Sequence, residues 1–215
     1  MNKLFIFVMA TVLLFACKEG HGTPITHIYV SEQGLRIPGT ANDTLLADPE
    51  SSVIAWKGTK MFGLKSHSGI IQLQQGYLVV KDNRPVSGTF TVDMETIEVT
   101  DIPDTDPIPK RGLENHLKDP DFFDVVRFFR AHLEISSVQP STGGHLSFSG
   151  LLTMRGITHP VEFHGLYADG QLKALLQFDR FRWDIAYQGS WANRSLIDRE
   201  VELSVTLVFR PEGAL

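Results

Sequence analysis

The sequence predicts an all-β, mostly antiparallel domain, and two observations carry the prediction. Apolar and polar residues alternate with period two in segment after segment, and turn residues that tolerate positive φ stand between them. Such alternation gives each strand one apolar and one wet face. About eight or nine such strands must bury those faces against a second sheet or by closing on themselves, so the pattern alone leaves sandwich and barrel open.

The folded domain is expected from Asp48 onward. Weaker strands fit residues 52–58, 68–73 and 77–81. In 88–94, Phe90, Val92 and Met94 share a face against Thr89, Thr91 and Asp93. Phe129, Ala131, Leu133 and Ile135 then oppose Arg130, His132 and Glu134, and Leu146, Phe148, Leu152 and Met154 oppose Ser147, Ser149 and Thr153. A weaker strand fits 160–166. Leu172, Ala174, Leu176 and Phe178 oppose Lys173 and Gln177, and Val201 to Phe209 repeats the pattern against Glu202, Ser204 and Thr206. Asp82-Asn83, Gly143-Gly144 and Asp169-Gly170 mark hairpins, and Gly156 suits a tight turn better than a phosphate cradle. Two stretches break the alternation. Leu113 and Leu117, four apart, predict a short helix over 113–118 that Pro120 ends. Asp101 to Pro109 reads as a proline-rich acidic loop.

The N-terminus is expected to be a targeting segment. Lys3 precedes an apolar run from Leu4 to Leu14 that is too short to span a bilayer comfortably. Leu14-Phe15-Ala16-Cys17 resembles a bacterial lipobox, so residues 1–16 read as a lipoprotein signal peptide and Cys17, the only cysteine, as the site of lipid attachment. Residues 17–47, rich in glycine and proline with one possible strand at 27–30, read as a flexible tether, and residues 48–211 as the single folded domain. Attachment through acyl chains implies the bacterial cell envelope, and Lys18 after the cysteine, by resemblance to enterobacterial lipoprotein sorting, favours an outer membrane, facing the periplasm, over the inner one.

The formal charge is −5, and cleavage after residue 16 removes Lys3 and no acidic residue. This mild overall acidity argues against nucleic acid as a partner and against electrostatic docking of the domain on anionic lipid. Enzyme signatures are lacking: there is no His-Glu-x-x-His, Gly-x-Ser-x-Gly or P-loop, and the eight histidines are scattered. His159 and His164 are five apart on an expected strand and so fall on opposite faces, without metal-ligand spacing. No cofactor, metal or catalytic residue is assigned. Trp191 to Ser195 contains a glycosylation-like triplet that a bacterial lipoprotein ignores.

Two motifs carry a resemblance. His116-Leu117-Lys118-Asp119-Pro120-Asp121-Phe122-Phe123-Asp124-Val125 resembles the helix-to-strand signature of the YceI-like family, and Gly150 to Val161 resembles the same family's hairpin. Trp56-Lys57-Gly58, His67-Ser68-Gly69, Phe178-Asp179-Arg180 with Trp183, Ile185 and Tyr187, and Ile197 to Leu203 also fit, so the resemblance runs from about Asp48 to Phe209. One departure stands out: Arg127-Phe128-Phe129 replaces a Lys-Tyr-Pro step, which allows the next strand to start earlier. The resemblance implies an antiparallel lipocalin-like β-barrel of about eight strands with one or two short helices, whose apolar interior holds a polyisoprenoid or similar long-chain lipid.

On that reading the protein is no enzyme but binds a lipid of quinone or prenyl phosphate type for carriage, storage or sequestration. A filled barrel with a structural or stress-response role is the alternative, and a lipid-modifying enzyme a distant third. Candidate interior contacts are Ile54, Trp56, Phe90, Val92, Phe122, Phe123, Phe148, Leu152, Phe178, Trp183 and Leu203. Phe122 and Phe123, being adjacent, are expected on opposite sides of an extended segment. His67 and Arg180 are the candidate polar contacts at the mouth.

Overall fold

The computed structural model describes residues 43–186 and 197–211. The signal segment 1–16, Cys17, the tether to residue 42 with its expected strand at 27–30, Tyr187 and the triplet at 191–195 lie outside the described residues. Nine strands and one α-helix follow one another as β1 (Asp43–Ala47), β2 (Val53–Lys60), β3 (Lys65–Lys81), β4 (Arg84–Val99), α1 (Pro107–Lys118), β5 (Arg130–Pro140), β6 (Leu146–Met154), β7 (Ile157–Ala168), β8 (Gln171–Asp179) and β9 (Ile197–Pro211). Short 3-10 turns occupy Thr142–Gly144 and Arg180–Trp183.

The sheet order is β3-β2-β9-β8-β7-β6-β5-β4, and β4 pairs back onto β3, so eight antiparallel strands close a barrel. The sandwich alternative is thereby excluded. The remaining strand, β1, pairs with β3 over Asp43–Leu46 and with β9 over Leu45–Ala47. It therefore occupies the same slot between β3 and β9 that β2 fills further along, so that β1 and β2 form one stave broken at residues 48–52. Asp48 clasps the break: its N–H donates to the Val208 carbonyl at 2.8 Å and its carboxylate accepts from Glu50 N and from Arg210. Asp43–Ala47, which the sequence assigns to the tether, is strand.

Sequence turn chemistry sets the hairpins. Asp82-Asn83, Gly143-Gly144, Arg155-Gly156 and Asp169-Gly170 all have positive φ at both residues, the geometry that suits the right-handed twist of paired strands. At Gly156 a Cβ would also stand 3.1 Å from the Phe128 ring, so a tight turn and a close approach coincide. Strand interiors alternate as expected: in β7, His159, Val161 and Phe163 face in while Pro160, Glu162 and His164 are exposed.

Three departures from sequence expectation shape the site. The segments at 68–73 and 77–81 are one 17-residue strand, β3, in which a bulge between Leu73 and Gln75 shifts the inward phase from odd to even positions. Strand β4 runs on to Val99 with a kink: Ile70 pairs Glu98 but Gln72 pairs Asp93, and Thr96 Oγ1 holds the excursion by accepting from Gln72 N and donating to the Asp93 carbonyl. Helix α1 starts at Pro107, inside the expected proline-rich loop, because proline at the first positions of a helix gives up only N–H groups that have no intrahelical acceptor. The strand after α1 does not start early; β5 begins at Arg130.

Candidate ligand-binding cavity

Helix α1 lies at one end of the barrel, against the end of β4, with Glu114 accepting from Val99 N at 3.1 Å. Beside it opens a mouth of about 370 Å³ walled by β2, β3, α1 and the start of β9, including Trp56, Lys60, His67, His116, Leu117 and Asp198. A neck of about 120 Å³ follows, lined by Ile54, Trp56, Val92, Phe122, Phe123 and Leu203 among others, with only apolar surface facing it. Deeper in the barrel lies a third space of about 80 Å³, between Phe90, Leu133, Leu152, Phe163 and Leu176. Trp56, Gly58, Leu117, Phe122 and Val201 wall both mouth and neck, and Ile54, Val92, Ala131, Leu152 and Leu203 wall both neck and deep space. The three spaces thus run in series from the α1 end inward. At the far end Phe90 and Tyr167 both meet the Phe209 ring edge to face, at 6.2 and 6.3 Å.

The motif following α1 closes one side of the neck. Asp119 accepts from Phe122 N and Asp124 N through its carbonyl, and Phe123 N returns to the Leu117 carbonyl, so the segment turns instead of extending. Phe122 and Phe123 consequently do not face opposite sides; both line the neck, with their rings edge to face at 5.1 Å. Arg155 donates to the Phe122 carbonyl and ties the β6–β7 turn to this segment.

Nine of the eleven apolar candidates line the spaces: Ile54, Trp56, Phe90, Val92, Phe122, Phe123, Leu152, Phe178 and Leu203. Phe148 and Trp183 do not. Phe148 stacks on Phe163 at 5.0 Å, and Trp183, fully buried, donates its indole N–H to the Leu152 carbonyl and meets Phe178 and His159 edge to face. These two pack the wall between strands. His67 does line the mouth, with Nδ1 2.9 Å from Asp101 Oδ2.

Arg180 also lines the mouth, with its guanidinium turned into the wall. It is 1% exposed, and its three guanidinium nitrogens donate to the carbonyls of Asp198, Ile185 and Ile197 at 2.9, 2.5 and 3.0 Å. Burial lowers its pKa, while Asp179 and Asp198 oppose that shift. Asp198 in turn is held below the usual carboxyl range, first by the Thr59 side chain and then by the N–H groups of Gly63 and Phe62 and by Arg180.

The candidates left out Met94, although it shares a face with Phe90 and Val92, and Leu117, although the Leu113/Leu117 spacing already pointed to an apolar helix face; sequence reasoning missed Ile97, which the β4 kink brings beside Met94 into the neck. It also missed a grouping across the end of α1, where ligand atoms of His116, Asp119 and Asp121 lie within 4.8 Å of one another. No spacing rule within a single strand or helix finds such a group.

One polar atom in the cavity walls is unsatisfied. Trp56 Nε1 is buried without a hydrogen-bond partner at the boundary of mouth and neck, a condition that costs roughly 1–3 kcal/mol. Its indole is fixed in place: Trp56 pairs with Gly69 on β3, where a Cβ would stand 2.8 Å from Trp56 Cζ2.

A closed antiparallel barrel with an apolar space opening at one end is the architecture of lipocalin-like binding barrels. The profile of the YceI-like domain matches residues 46–209, and the chain belongs to the YceI-like family. That family consists of barrels that hold hydrophobic molecules and generally act by binding. Among solved structures, Burkholderia cenocepacia BcnA is similar at 17% identity and a TM-score of 0.58, over 75% of this chain and 98% of that one. A Campylobacter jejuni YceI protein is similar at 16% identity and a TM-score of 0.42, over 60% and 75%. At these identities the likeness concerns the fold alone. No functionally curated protein matches.

Proposed function

We propose that the protein binds an amphiphilic lipid, a polyisoprenoid of quinone or prenyl phosphate type, with its tail in the neck and deep space and its head at the mouth, and that it carries, stores or sequesters this lipid without chemical turnover. In the cell it is held in the envelope through acyl chains on Cys17, on an outer membrane and facing the periplasm. The observation that carries the reading is the pairing of an apolar channel with one buried, unpartnered donor at its entrance, Trp56 Nε1. A hydrocarbon tail gains about 25 cal/mol for each Å² buried in such a channel, and a head-group oxygen satisfies the indole.

The small inner volumes favour a second reading, a filled barrel with a structural role. Native mass spectrometry on protein extracted gently from membranes separates the two. The lipid reading expects an adduct of lipid mass that disappears in Ala174→Trp, where an indole fills the deep space. A lipid-free spectrum, with no uptake of added prenyl lipids, decides for the filled barrel, in which Ala174→Trp overpacks and costs about 1–3 kcal/mol.

A further inference from the structure

The β2–β3 turn departs from every other two-strand turn described in this barrel. Those place aspartate, asparagine, arginine or glycine at positive φ, whereas this one places Met61 and Phe62 there, at 57° and 58°, before Gly63. Bulky side chains disfavour that conformation. They are not repaid by burial, for Phe62 is 93% exposed and Leu64 79%. The turn is nonetheless held firmly: Asp198 accepts from Phe62 N at 3.1 Å through one oxygen and from Gly63 N at 2.9 Å through the other, and Leu64 N donates to the Met61 carbonyl. A fixed, strained turn that presents two large apolar side chains is built for something other than water.

Charge and position point to the occupant. Lys60 and Lys65 are register partners directly below the tip, no acidic residue occurs from Val53 to Lys81, and the Asp198 carboxylate that reaches the tip is engaged by the Phe62 and Gly63 N–H groups. Residues Gly58 to Lys60 of the same hairpin wall the cavity mouth. An aromatic and an aliphatic side chain above a pair of lysines is the arrangement that settles at a bilayer interface, apolar groups among the upper acyl chains and ammonium groups at anionic head groups.

We propose that the β2–β3 tip docks on a bilayer containing anionic lipid, Phe62 and Leu64 entering the interface and Lys60 and Lys65 contacting head groups, so that the mouth meets the membrane surface. Docking stands independently of which ligand the cavity holds. Residues 18–215 contain every strand of the closed barrel and its core, so this part folds on its own and lacks the acyl anchor. Flotation with vesicles of equal parts phosphatidylcholine and phosphatidylglycerol should carry it upward at low salt, and flotation should weaken in Lys65→Gln and at high salt. Phe62→Asn combined with Leu64→Asn should lower partitioning about tenfold or more. Thermal stability should hold or rise, because asparagine accepts positive φ. Flotation of the double variant equal to that of the unsubstituted chain overturns the proposal, as does failure of the latter to float. Concentration-dependent dimerisation that the double variant abolishes assigns the tip to a second copy and likewise overturns it. Prenyl-lipid uptake by the double variant from detergent-free solution, if unchanged, leaves the cavity reading standing whichever way flotation falls.

Discussion

Trp183 donates its indole N–H to the Leu152 carbonyl at 3.1 Å, whereas that of Trp56 is buried without a partner. Replacement by phenylalanine should therefore act in opposite ways. Trp183→Phe removes a buried hydrogen bond and part of a packed ring cluster, and should lower unfolding free energy by about 1–3 kcal/mol in urea titration. Trp56→Phe removes an unsatisfied donor, should leave stability unchanged or raised, and should weaken binding of a head-group-bearing lipid about tenfold by calorimetry. Equal binding by that variant would remove Trp56 Nε1 as an anchor. Asp198 carries the pH dependence. Its folded pKa lies below the ordinary 3.8, so its contribution to the tip is complete above that value and is lost as pH falls through the folded pKa. Amide resonances of Phe62 and Gly63 should shift together below pH 3.8, and Asp198→Asn should abolish the shift.

Helix α1 contributes one fully packed side chain, Leu117, to both mouth and neck. Leu117→Ala should cost about 2–4 kcal/mol and widen the neck, so that bulkier lipids bind better relative to slender ones in a competition assay. Strands with clean alternation, β6 and β8 above all, were legible almost to the residue because each keeps one face in and one out. Where the phase changes, legibility failed for a physical reason: an extra residue near Gln74 reverses inside and outside along β3, and the looped-out part of β4 sends both Met94 and Ile97 inward. Proline misled at α1, where its missing N–H costs nothing. Nine of the apolar candidates line the spaces because inward faces of a closed barrel can only line or fill its centre. Arg180 does line the mouth, but sequence does not show that three backbone carbonyls engage its guanidinium.

For the molecule as a whole, closure is what alternation could not supply. It needed the family resemblance, and the structure adds the return pairing of β4 on β3. Eight strands close that ring through β2, and β1 fills the slot between β3 and β9 only at one end. Because β2 by itself joins β3 to β9, a chain starting at Asp48 should remain folded and bind lipid at the distant mouth, yet lose about 2–4 kcal/mol from the strand pairs of β1, partly buried Leu45 and buried Ala47. Loss of all cooperative unfolding in that chain would show that β1 is needed for closure. The broken stave also has a mechanical meaning. Among the described residues, a pull applied at Asp43 meets β1 first, and the Asp48 clasp with Val208 and Arg210 separates it from β2. Five residues can peel away while the ring stays shut, so load applied at that end is taken up by a short sacrificial strand and not by the walls around the cavity.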